Sequence, residues 1–142
     1  RGDGDVDRQT QTLSPMPRGE YWFPEGCFVD EWSNTPDDPA CSICRARVPA
    51  GGLTRWHWLD ATTERYVVLA GRGRMELGAV GAASPIVATS TREIGPGEVV
   101  VIPAGTPQRI AALGGEDLVF LAICTPRFTP ECYQTEPDAG PA

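Results

Sequence analysis

The 142-residue chain carries a formal charge of −7, with 12 basic and 19 acidic side chains. That balance argues against a nucleic-acid or anionic-membrane partner, because phosphate binding needs a basic surface. All 12 basic side chains are arginine, which excludes lysine Schiff-base and general-base chemistry, and a single histidine leaves little room for a serine or cysteine triad. The length suits one domain with a real core. Sixteen glycines and 14 prolines between short apolar runs point to an all-β chain rich in turns. No apolar run approaches the roughly 20 residues that would span a bilayer. With no secretory signal read, a cytoplasmic location is expected.

Residues 1–19 are polar and are expected to form a disordered N-terminal arm. Tyr21-Trp22-Phe23 opens a segment too aromatic for a linker, expected to pack on the domain or to add an edge strand to a second subunit. SNTPDDPA reads as a loop. Cys41 to Val48 reads as a strand with Cys44, Ala46 and Val48 inward, which puts Arg45 and Arg47 outside. Cys41 and Cys44 form a C-x-x-C, but residues three apart on a strand face opposite ways, so small-hydrophobe packing is the better reading.

The next strand carries Arg55, His57 and Leu59 on one face, with Trp56 and Trp58 outward, under neighbouring elements or at a subunit interface. After a short loop, Glu64 to Ala70 follows, with Glu64, Tyr66 and Val68 sharing a face. The shortness of that loop suggests antiparallel neighbours, with His57 and Glu64 side by side on one wall. Gly71-Arg72-Gly73 reads as a tight turn and Arg74 to Leu77 as its returning strand. Residues 78–91 read as an irregular hairpin, and Arg92 to Pro96 lead to a strand, Glu98 to Ile102. The strand Gln108 to Leu113 has Gln108 and Ile110 inward. Leu118 to Cys124 is unbroken and apolar, so it is expected to be buried on both faces. Residues 134–142 read as a disordered tail. No internal repeat is present.

Two spacings stand out. Gly51, His57, Glu64 and Gly71 fall on G-x5-H-x-H-x4-E-x6-G, with Leu59 at the second histidine position. Gly97, Pro103 and Gly105 fall on G-x5-P-x-G-x2-H, with Gln108 at the last position. The chain resembles the cupin superfamily in both motifs over roughly residues 40–126, about one small domain. The resemblance implies a single jelly-roll β-barrel over residues 20–133. It also implies an interior site for one divalent metal (iron, manganese, nickel or zinc), for which His57, Glu64 and Gln108 are the candidate ligands. Leu59 cannot coordinate.

Without a metal, His57 beside Glu64 makes a proton-transfer dyad in which the carboxylate orients the imidazole. Tyr66 is the candidate oxyanion donor. Arg55, Gln108, Leu59 and Ile110 are candidate substrate contacts, with Arg55 suited to a carboxylate. Two functions follow. One is an enzyme on a small oxygenated metabolite or natural-product intermediate: isomerase, cyclase, lyase or dioxygenase. The other is a binding module for a sugar or small organic acid. No nucleotide cofactor is expected. The aromatic stretch at Tyr21 and the outward tryptophans suggest a homodimer.

Overall fold

The computed structural model describes residues 19–137. The expected N-terminal arm therefore lies outside the described residues, save its last position. Eleven strands run in chain order: β1 (Tyr21–Phe23), β2 (Cys27–Ser33), β3 (Ser42–Val48), β4 (His57–Leu59), β5 (Thr63–Ala70), β6 (Arg72–Leu77), β7 (Ser90–Ile94), β8 (Val99–Ile102), β9 (Gln108–Leu113), β10 (Leu118–Thr125) and β11 (Tyr133–Thr135). Among the described residues the only helical piece is a 3-10 turn, Pro130–Cys132.

The strands form two sheets, a six-stranded one in the order β1-β2-β3-β10-β5-β8 and a five-stranded one in the order β11-β4-β9-β6-β7. Every pairing is antiparallel. The fold is the all-β jelly roll that the sequence implies, with side chains alternating between its interior and solvent.

That alternation decides what lies inside. On β3, Ser42, Cys44, Ala46 and Val48 face in, and on β5 Glu64, Tyr66 and Val68 do. On β10 the inward set is Cys124, Ala122, Phe120 and Leu118. Side-chain size and polarity change along each strand. At one end Val48, Val68, Ile94, Ile110 and Leu118 fill the interior and are almost wholly buried. At the other end the inward residues are small or polar. Arg45 and Arg47 face outward, as read from the sequence, and both pair with Glu20.

Several local expectations are corrected. β4 and β5 lie in different sheets, so His57 and Glu64 face each other across the barrel rather than sharing a wall. β4 begins only at His57. Upstream, buried Thr54 ties the chain to β9 through its backbone and its hydroxyl, which accepts from the Ile110 N–H at 2.9 Å. Arg55 is thereby turned outward and exposed. Trp56, expected under neighbouring elements or at a subunit interface, is buried with the Arg109 guanidinium over its ring at 4.7 Å, as the first of these has it.

Gly71 makes the turn alone (φ +78°), since β6 already starts at Arg72, and a Cβ there would collide with the Asp117 carbonyl oxygen. β7 emerges from a stretch too polar to show a strand pattern. β10 alternates buried and half-buried residues instead of being buried on both faces. The expected tail starts as ordered strand, with Gln134 and Thr135 of β11 paired to Trp58 and His57. Tyr21–Phe23 is an edge strand of its own sheet.

Candidate active site

His57 is 3% exposed and held at both ring nitrogens. Nδ1 lies 2.8 Å from the backbone oxygen of Arg55. A carbonyl only accepts, so Nδ1 carries a proton. Nε2 lies 2.7 Å from Glu25 Oε1. Burial alone would lower the imidazole pKa. The Glu25 carboxylate, the charge of Glu64 and the Arg55 carbonyl outweigh it and raise His57 above its ordinary value.

Glu25 sits at the middle of the Pro24-Glu25-Gly26 turn between β1 and β2. Gly26 takes φ +118°, and a Cβ there would stand 3.2 Å from the Leu53 carbonyl oxygen. The turn therefore closes down on the segment before β4, and the Arg55 N–H donates to the Glu25 carbonyl at 2.8 Å. One residue's backbone thus fixes both halves of the pair: Arg55 N–H holds Glu25, and Arg55 C=O holds His57. Tyr133 on β11 completes the arrangement. Its ring stacks on His57 at 5.5 Å with planes 22° apart, and burial, with the Glu25 charge beside it, pushes its hydroxyl pKa up.

Glu64 faces this pair from the other sheet. Gln108 Nε2 donates to its Oε1 at 2.8 Å, and the Cys124 thiol approaches its Oε2 at 3.6 Å. Burial pushes its pKa up, against the pull of the His57 charge and these donors. The Cys27 thiol stands similarly at 3.6 Å from Glu25 Oε2. Burial raises Cys27 and Cys124 strongly and pushes Cys44 up to about 12, so these thiols are neutral donors and not nucleophiles.

The space between is a partly open cavity of about 80 Å³. Glu25, His57, Glu64, Tyr66, Leu59 and Tyr133 all line it, with Tyr21, Glu31 and Phe128 also on its wall. Tyr66 packs on Phe120 with ring centres 4.2 Å apart, and burial raises its pKa well above the ordinary value, so its hydroxyl keeps its proton.

The sequence candidates therefore separate. His57, Glu64, Tyr66 and Leu59 meet at the cavity. Gln108 stands behind Glu64 as its donor and Ile110 lies in the packed core, neither among the lining residues. The Arg55 side chain lies outside, reaching the Glu136 backbone oxygen at 3.4 Å. The dyad expected between His57 and Glu64 is replaced by His57 and Glu25. Neither Glu25 nor Tyr133 was a candidate. The one available signal was a glutamate set in a Pro-Glu-Gly turn between two aromatic-rich runs.

The ligand set expected for a metal does not assemble. His57 Nε2, the ring nitrogen that faces the cavity side, is engaged by Glu25, and Gln108 turns an N–H donor, not its oxygen, towards Glu64. Gln108 Oε1 is buried without a hydrogen-bond partner. Among the described residues, no group of three or more His, Cys, Asp or Glu side chains could share one ion.

A two-sheet barrel with its polar groups gathered inside one end is a jelly-roll domain built around an internal pocket. The cupin domain model matches residues 44–124, more than half of the sequence, and the chain belongs to that family. Comparison with curated proteins found no match. Among solved structures, CapF with the inhibitor 3-isopropenyl-tropolone is similar at 23% identity and a TM-score of 0.66, covering 84% of this chain and 34% of that one. An oxalate decarboxylase of Lactobacillus farciminis in complex with formate gives 21% identity and a TM-score of 0.67, covering 83% and 33%. The chain thus spans about a third of the length of these two. Pac13, a nucleoside dehydratase, gives 12% identity and a TM-score of 0.69, covering 89% of this chain and 92% of that one. At these identities the likeness concerns the fold.

Proposed function

We propose that this protein is an enzyme that moves protons on a small oxygenated molecule held inside the barrel, in the isomerase, cyclase or lyase range. The observation that carries this reading is the buried His57–Glu25 pair facing a second buried carboxyl, Glu64, across an open cavity. A buried charge is costly unless paired or used. Two titratable groups with different surroundings at one cavity are the arrangement that acid–base chemistry needs. The proton shared between His57 Nε2 and Glu25 Oε1 is the one given to the substrate, whose oxygen takes the place of one of these partners as that bond opens. Glu64, when ionised, takes a proton from the neighbouring carbon. In an isomerisation the proton returns to an adjacent atom; in a dehydration the protonated hydroxyl leaves as water. Tyr66 and Tyr133, both protonated, are donors for an oxygen that gains charge.

This reading uses no metal, because the nitrogen and amide that would bind one are engaged with Glu25 and Glu64. A dehydratase such as Pac13, of nearly the same length, supports the idea that one such barrel is large enough for the reaction class.

The test is chelator-treated protein incubated in D2O with hydroxyketones, sugars, lactones and nucleosides, followed by NMR for deuterium uptake or loss of water. The expected result is exchange or elimination on at least one compound, falling at least about a hundredfold in His57→Gln and in Glu64→Gln. Turnover that survives both substitutions, or that appears only with added metal, overturns the proposal. Binding without exchange across the panel would identify a binding module instead.

A further inference from the structure

The wall of the cavity has an unusual balance of charge. Three carboxylates reach it, Glu25, Glu31 and Glu64, and no arginine is among its lining residues. The chain has no lysine to add. The nearby arginines are engaged from outside the wall, Arg127 through the lining residue Asn34, to whose Oδ1 it donates at 2.9 Å. Arg45 and Arg47 are held outside by Glu20, Arg65 by Thr125, and Arg109 by Glu76 and the Trp56 ring. Of the three acids, Glu25 is balanced by His57, and Glu64 is biased by burial towards its neutral form. Glu31 has no such balance. It lies on the inward face of β2 with Cys27 and Val29, opposite Cys44, and among the described residues no cation pairs with it.

Six aromatic rings share the rest of the wall with small, aliphatic and thiol side chains. Phe23 and Phe128 meet the Tyr133 ring at 5.3 and 6.3 Å, Tyr133 stacks on His57, and Tyr21 stands towards the Glu31 side. Ring faces carry partial negative charge and attract cations, and a narrow cleft lined by one sign of charge concentrates the opposite one. Aromatic faces around an unbalanced carboxylate are the chemistry that recognises an ammonium group. They are the wrong chemistry for a carboxylate or phosphate.

From this we propose that the cavity takes a small molecule bearing a protonated amine, with the ammonium set against Glu31 and the aromatic rings and an oxygen towards His57 and Glu64. The proposal deepens the function proposed above, since it rests on this cavity being the reaction site, but it is read on binding alone. It also reverses the expectation from the sequence that Arg55 holds a substrate carboxylate.

The test uses three molecules of one shape: cyclopentylamine, cyclopentanol and cyclopentanecarboxylate. Each is titrated into the full chain while amide and aromatic NMR shifts are followed, at low and high salt. The amine should bind at least tenfold more tightly than the alcohol, lose much of that margin in high salt, and shift the Tyr133 and His57 rings. The carboxylate should not bind. Glu31→Gln should cancel the margin of the amine and leave the affinity for the alcohol unchanged. The proposal is overturned if the alcohol or the carboxylate binds as well as the amine, if Glu31→Gln leaves the margin intact, or if none of the three shifts the cavity resonances at millimolar concentration. Amine preference without turnover would instead sink the enzymatic reading and leave this one standing.

Discussion

The two ends of the barrel are built by the same strands and obey opposite rules. β5 passes from Glu64 through Tyr66 to Val68, and β10 from Cys124 through Ala122 and Phe120 to Leu118. At the Val68 end, branched aliphatics interlock and exclude solvent. At the Glu64 end, serine, cysteine and alanine are too small to fill the interior, and the space left over is lined by carboxylates and an imidazole. The same register therefore produces a core and a cavity, which fall to different halves of each strand.

The largest effect should come from the polar end. His57→Leu removes one member of a buried ion pair and strands Glu25, at a cost of about 3–5 kcal/mol. Glu25→Leu combined with His57→Leu should recover most of that loss, because apolar replacement of both partners leaves no orphaned charge. Urea denaturation of the two singles and the double measures this. A double variant as unstable as the sum of the singles would mean that the pair does not act as a unit.

At the packed end, Leu118→Ala should cost about 3 kcal/mol, the transfer of a leucine side chain plus the void left behind. It should leave the environment of His57, read by ring NMR shifts, unchanged. If it disturbs them, the two ends are mechanically coupled and the comparison fails.

A smaller effect concerns pH. The folded state holds its proton on Glu64 above the ordinary value of 4.5, and on His57 above 6.5. Between each ordinary value and the raised one, the folded chain binds more protons than the unfolded chain, so stability falls as pH rises. Thermal melts should decline as pH rises above about 4.5 through Glu64 and above about 6.5 through His57. Glu64→Gln should delay and shrink the decline; an identical profile would show that Glu64 titrates alike folded and unfolded.

The smallest change is expected at Arg55. Arg55→Ala should move stability by no more than about 0.5 kcal/mol, as for most surface substitutions. Arg55→Pro should cost more and loosen the pair, because it removes the N–H that holds Glu25. Equal effects would mean that the side chain, not the backbone, does the holding.

This last contrast marks the limit of what the sequence reveals. Alternation along Cys41–Val48 and Gln108–Leu113 made the inward faces legible, and the resemblance to the two cupin motifs implied the jelly roll. The same motifs singled out His57 and Glu64, and both line the cavity. Their partners were not legible, because spacing along a chain describes neighbours within a strand or a hairpin. The short loop between β4 and β5 looked like a hairpin, but it crosses from one sheet to the other, so the nearest carboxylate in sequence is not the one bonded to the imidazole. Glu25 reaches His57 through the placement of a turn more than thirty residues away, and nothing local records that.

Glu25 and Tyr133, the two groups that grip and stack against His57, both lie outside the stretch 44–124 that carries the family likeness. The shared segment supplies a frame and a histidine; the flanks decide what that histidine is bonded to. Two barrels alike over the shared segment can therefore differ wholly in reactivity. Exchanging the β1–β2 hairpin and the β11 strand between them would change what the histidine meets while leaving the matched segment in place.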